Sequence, residues 1–482
     1  MKKYGLLKVI GISFLVVATL SWIIPAGSYY DGTFTAGKTL PIGLFDLIRT
    51  PLSTVANLIQ YAMIFLLIGG LYGVLNKTGV YSSLVDSIVK KFKGKEKTFL
   101  ISTMVLFTLL SSLTGLSFVI FILVPFFIAV LLSMHYNKKV ALMATIGSML
   151  VGIIGSTYGF SINGYINYYF SLDVHNEMLT KVIFLGIITF LSVIYVLNST
   201  KKVSSVEVKK GNKKEESKDE EKVVIPLFEK GSKSKKSFWP LVIIMIGTII
   251  LLLVGMYNWQ YSFGITFFGD TYTSLMGLEI SGYPLVQNLI GGINPMGNWS
   301  IYEMSIILVM VMLLIGWIYN VKLNELIDSF VKGAKEMLPT AFYVTIANVV
   351  FVVLASSSTG ENIFFPIAHF FFNMTENLNI VTMTIVSAIG SFFYNDFTNL
   401  FNAMGSNISI IYPDATLYPI IGMIVKTMYG LVMFVAPTSL LLVGGLSYLN
   451  VSYKEWFKYI WKFLLQVLAI AAIIVVIMFM FV

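Results

Sequence analysis

Apolar runs long enough to cross a bilayer alternate with short polar connections along almost the whole chain. A window of about 19 residues predicts about nine spans, at approximately 5–24, 57–75, 139–158, 181–198, 239–257, 301–319, 338–356, 417–445 and 460–482. Two further apolar stretches do not fit a single crossing. Residues 98–134 would extend roughly 55 Å as one helix at about 1.5 Å per residue, against a hydrocarbon slab of about 30 Å. That stretch must turn back, and Ser111-Ser112-Leu113-Thr114-Gly115 marks the turn. Residues 379–412 are interrupted by Tyr394-Asn395-Asp396-Phe397-Thr398-Asn399 and again by Gly405-Ser406-Asn407. Each arm is expected to cross only part of the membrane. The pattern predicts an all-α polytopic membrane protein with two re-entrant hairpins.

Irregular backbone at membrane depth persists only where protein or a watery cavity satisfies its N–H and C=O groups. Paired interrupted segments in two halves of a chain point to the binding site of a secondary transporter. Residues 199–237, which include Lys213-Lys214-Glu215-Glu216, are charge-dense without hydrophobic periodicity and read as a solvated cytoplasmic linker. On each side of it the order is the same: a span, a surface helix, a hairpin, a broken span and a span. The division is therefore a first membrane half, 1–198, with hairpin 98–134, and a second half, 238–482, with hairpin 379–412. Assigned to opposite sides, the halves read as inverted repeats. With the N-terminus and the linker cytoplasmic, 28 of the 33 basic residues fall in inside segments, as the positive-inside rule requires. The expectation is a multi-pass protein of the cell (cytoplasmic) membrane.

Composition narrows the function. Hydrophobic residues make up 57% and charged residues 12%, well below the roughly 25% charged of soluble domains. The net charge of +9 is spread over short connections and forms no single soluble face, so no nucleic-acid partner is expected. There is no cysteine, which removes disulfides and thiol chemistry. The apolar run Val9–Ile24 exceeds a signal-peptide core of about 7–15 residues and lacks an A-x-A site, so a retained first helix is expected. A phosphate-cradling G-x-x-x-x-G-K-[ST] loop is missing at Gly231-Ser232-Lys233. His135, His175 and His369 are dispersed, and neither an ATPase nor an enzyme is expected. A channel also uses polar breaks and stays open as an alternative.

Candidate chemistry sits at the tips and breaks: Ser111, Ser112, Thr114 and Gly115; Asn395, Asp396, Thr398 and Asn399; Asn163; Thr438 and Ser439. Free N–H groups at half-helix starts can hold a carboxylate, and unwound carbonyls can hold Na⁺. Small residues also let helices pack closely, Asn163-Gly164 also fits an extracellular turn, and Pro437 also fits a plain kink. No cofactor is expected beyond a coupling sodium ion or proton, with sodium placed near Ser112, Asn163, Asn399 and Thr438. Lys426 falls some 12 Å into its span at about 1.5 Å per residue, where charge is expensive. It either snorkels outward or faces the interior, attracting an anionic substrate or replacing a coupling cation. Asp396 is its natural partner or a proton carrier; otherwise it is a loop residue in outside water.

Several short motifs, in this order and spacing, carry a resemblance. They are Ile24-Pro25-Ala26-Gly27, Lys91-Phe92-Lys93-Gly94 with Glu96, Asn163, Phe330-Val331-Lys332-Gly333-Ala334-Lys335, Pro437-Thr438-Ser439 and Lys454-Glu455-Trp456. Over nearly its whole length the chain resembles the YfcC family, C4-dicarboxylate-carrier-like members of the ion transporter superfamily, related to the AbgT and divalent-anion/sodium symporter families. The resemblance implies a homodimer in which hairpins and broken helices move against a scaffold. It also implies an elevator-like secondary active transporter of a small carboxylate-bearing metabolite: a dicarboxylate, amino acid or short peptide, moved by symport or exchange. Arginine/ornithine-type exchange is the alternative within the family. Thr114-Gly115 stands where an acidic pair is expected and Tyr429 where an acidic residue is expected. Both departures argue against a cationic substrate and conventional sodium coordination.

Overall fold

The computed structural model describes residues 5–210, 225–230, 234, 236–280, 282–355, 360–375 and 377–481, with backbone alone for 201–210. Most of the expected linker, 211–224, lies outside the described residues. Among these residues the chain is all-α apart from two small hairpins, Gly27–Tyr30 with Thr33–Ala36 and Glu279–Ile280 with Tyr283–Pro284. Among the described residues nine helices are long and apolar enough to cross a membrane. They differ from the predicted nine in one exchange: Glu96–Thr114 enters, whereas 139–158 leaves because it is several short helical pieces.

Helix ends follow local capping chemistry. Ser300 with Glu303, and Ser452 with Glu455, form reciprocal capping boxes that start Ile301–Ile318 and Tyr453–Phe479. Asn379, Asp396 and Ser439 cap Ile380–Phe393, Phe397–Ile411 and Leu440–Leu449 through side-chain acceptors. The helix Glu96–Thr114 ends at Gly115, whose φ of +70° suits glycine.

Both long stretches reverse direction. The rings of Phe99 and Phe127 lie 5.9 Å apart, whereas the intervening residues as one helix would separate them by about 42 Å. Gly390 packs so closely on the next arm that a Cβ there would sit 2.7 Å from Leu400 Cδ1. Three expectations need correction. The first arm, with 19 residues, is about 28 Å long and nearly crosses a bilayer by itself. Ser111 and Ser112 do not break it, because their hydroxyls donate to the carbonyls of Met149 and Gly155 on a neighbouring segment. Gly405-Ser406-Asn407 lies within the continuous helix Phe397–Ile411. Gly405 is there for proximity, since a Cβ would stand 2.7 Å from Tyr169 Cγ. Finally, 323–337, read as a connection, forms the first part of helix Leu323–Ile346, whose buried face carries Leu326, Ser329, Gly333 and Met337.

The helices Ile59–Lys77 and Leu323–Ile346 meet backbone to backbone. A Cβ on Gly73 would lie 2.0 Å from the Ser329 carbonyl oxygen, and one on Gly333 would lie 2.1 Å from the Gly69 carbonyl oxygen. Only glycines permit that approach. The end of the expected linker is also packed and not fully solvated. Asn76 donates to the Leu227 carbonyl, Leu227 N–H donates to Glu336, and Tyr448 donates to the Pro226 carbonyl.

Candidate functional site

The first broken span runs Lys138–Leu142, a π-helical turn Met143–Gly147, and Ser148–Ile154. Its backbone opens at Gly155–Gly159 and resumes at Phe160–Gly164 and Tyr165–Phe170. Four consecutive carbonyls at the opening accept side-chain donors. Ser112 Oγ donates to Gly155 at 2.8 Å, and Asn163 Nδ2 donates to Ser156 at 2.7 Å and to Thr157 at 2.6 Å. Lys426 Nζ donates to Ser156 at 3.0 Å, and Tyr257 to Tyr158 at 2.7 Å. In return the Ser112 carbonyl accepts the N–H groups of Thr157 and Gly159. The opening is therefore closed onto the first hairpin tip, as buried backbone requires.

Lys426 does not snorkel: it is 1% exposed in the middle of helix Tyr418–Met433. Nor does Asp396 pair with it. Among the described residues the ion pairs are Lys77–Glu325 and Lys332–Glu229. Asp396 instead uses Oδ1 to accept the N–H groups of Thr398 and Asn399 at 2.9 and 3.4 Å, the N-terminus of its own helix. Those local N–H groups satisfy the carboxylate within its own helix end.

The two hairpin tips meet. Gly115, Leu116 and Ser117 face Asp396 and Phe397 across a cavity of about 190 Å³, with Ser161 and Tyr429 on its walls. Gly115 is held close: a Cβ would stand 2.4 Å from Ser161 Oγ, and that hydroxyl donates to the Gly115 carbonyl. Tyr429 donates to the Asn395 carbonyl at 3.1 Å, and its ring stands 5.2 Å from that of Phe397. Asn395 is buried and donates to Asn348 Oδ1 at 2.8 Å. A second, narrower crevice of about 20 Å³ joins Asn163, Asn167, Lys181 and Lys426, with Glu177 also on its wall. A larger recess of about 480 Å³, lined by Ile183, Ile474, Ile477 and Met478, includes no residue of either tip.

The expected residues divide by what they hold. Gly115 and Asp396 line the tip cavity. Ser112, Asn163 and Lys426 secure the first opening. Thr438 and Ser439 secure the second, in Phe434–Thr438: Thr438 donates to the Phe392 carbonyl and Ser439 caps the next helix. Ser111 ties its helix to Met149, and Thr114 bonds back to Leu110 and lines an apolar recess beside Tyr158. Of the four expected sodium neighbours, Ser112 and Asn163 share one opening, the Asn399 N–H is engaged by Asp396, and Thr438 donates to the Phe392 carbonyl. Sequence reasoning missed Asn348, Ser161 and Lys181. A lone amide between Ala347 and Val349 was a usable signal for Asn348, whereas Lys181 reads as an ordinary span flank.

Packed apolar helices around two broken spans, with polar side chains turned inward to a common cavity, define a multi-pass α-helical membrane protein. A family model described as the C4-dicarboxylate anaerobic carrier (DcuC) matches residues 5–480. The chain belongs to that family of carriers. Among solved structures, the crystal structure of the Alcanivorax borkumensis YdaH transporter matches at 10% identity over 98% of this chain and 97% of that one. Its TM-score of 0.35 is too low to carry an argument. No curated protein matches.

Proposed function

We propose that the chain is a secondary active transporter of a small carboxylate-bearing metabolite, with dicarboxylates as the first class to test. In this reading it is a YfcC-like member of its family. Halves 1–198 and 238–482 are inverted repeats on either side of the 199–237 linker, and hairpins 98–134 and 379–412 are re-entrant. The substrate occupies the tip cavity, and a homodimeric scaffold supports elevator-like alternating access. One observation carries the reading: residues from both hairpin tips line a single cavity, the arrangement that alternating access around one central site requires. A saturable carrier explains this better than a pore, because the cavity is walled by packed side chains of both tips.

Asp396 on the cavity wall supports a second reading. A carboxylate there suits the ammonium of an amino acid, so exchange of arginine/ornithine type is the runner-up. Proteoliposomes loaded with unlabelled succinate, fumarate, ornithine or arginine, and assayed for counterflow of the labelled compound without ATP, separate the two. Succinate or fumarate counterflow is expected. Ornithine or arginine counterflow alone selects the second reading, unsaturable current selects a channel, and uptake that needs ATP rejects both carriers.

A further inference from the structure

An opened helix at membrane depth binds a coupling cation through its unwound carbonyls. In the first broken span every carbonyl from Gly155 to Tyr158 is already engaged by a side chain of this protein. One of those donors is a lysine. Lys426 reaches the Ser156 carbonyl from the neighbouring helix, with no carboxylate within 4.0 Å among the described residues, and it is 1% exposed. The crevice beside it also holds Lys181 and has a volume of about 20 Å³, roughly the space of a single water. A sodium ion there would meet carbonyls that each already accept a side-chain donor, in a crevice that two lysine side chains also line.

We infer that the Lys426 amino group occupies the place of a coupling sodium at the first helix opening. A tethered group cannot dissociate, so this opening contributes nothing to sodium coupling. The inference deepens the carrier reading above, but its test stands apart from that reading because it uses no transport substrate.

The test is a set of melting curves on purified full-length protein in nanodiscs, with choline chloride replaced stepwise by sodium chloride at constant ionic strength. A ligand that binds only the folded state raises the melting temperature by mass action. Lys426→Ala vacates the position, and its melting temperature should rise saturably with sodium by several degrees more than that of the wild type. Lys426→Gln, which retains a neutral donor, should respond less than Lys426→Ala. Equal sodium responses in wild type and Lys426→Ala overturn the inference. So does failure to recover either variant even in sodium, because a group that sodium can replace must leave a foldable sodium form.

Discussion

The two broken spans solve one problem with different chemistry. At Gly155–Gly159 the donors include the amino group of Lys426, brought from the second half of the chain. At Phe434–Thr438 the donors are neutral: Trp456 Nε1 to the Phe434 carbonyl at 2.8 Å, and the Tyr453 hydroxyl to that of Val435. Both arrangements satisfy backbone that lipid cannot. Only the first recruits a lysine, whereas the second draws on two aromatic side chains of helix Tyr453–Phe479.

The sharpest test of the contrast is Asn163→Leu. It removes the donor shared by the Ser156 and Thr157 carbonyls and the Ser156 hydroxyl. The Ser156 carbonyl keeps Lys426, but the Thr157 carbonyl loses its side-chain donor and the Ser156 hydroxyl loses one as well. Leaving a buried acceptor unpaired costs about 1–3 kcal/mol, so chemical denaturation in nanodiscs should show a loss of about 3 kcal/mol. Trp456→Phe removes one neutral donor from the other opening and should cost about 1–2 kcal/mol by the same measurement. If it costs as much as Asn163→Leu, the two openings are energetically alike and the contrast fails.

Asp396→Asn separates charge from structure. Asparagine caps a helix about as well as aspartate, so stability should stay within about 0.5 kcal/mol of wild type. Counterflow should nevertheless change several-fold, because the cavity loses its carboxylate. Unchanged counterflow would exclude Asp396 from the transport site.

The smallest effect lies at the entry to the second broken span. Hydrogen bonds from the Thr416 hydroxyl and N–H hold the Asp414 carboxyl below its ordinary range. A depressed folded value stabilises above the unfolded pKa, and the benefit disappears as pH falls through the folded one. Wild type and Thr416→Ala should therefore differ slightly in melting temperature near pH 7, and the gap should close below about pH 4. A gap that persists there assigns the effect to packing.

Much of this was legible in the sequence. Segment length forced both reversals, and Gly115 and Pro437 lie at real breaks. Asn163 was recognisable because an Asn-Gly pair follows Gly155-Ser156-Thr157 in an apolar run. What failed was any judgement that depended on who bonds to whom across the bundle. Ser111 and Ser112 looked like helix breakers, yet they donate to carbonyls some 40 residues later in sequence. Asp396 and Lys426 looked like a pair because each is costly alone in lipid, but each finds a backbone partner. One sequence gives the inventory of donors and acceptors without their pairing.

The glycine contact between Ile59–Lys77 and Leu323–Ile346 has a mechanical consequence. Where Gly69, Gly73 and Gly333 let two backbones touch, shifting either rod by one residue, about 1.5 Å, would drive its larger neighbours into the opposing chain. Such a joint has no slack. It locks one helix from each side of the linker into a single beam, and any stroke the protein makes must take place in the segments hung from that beam.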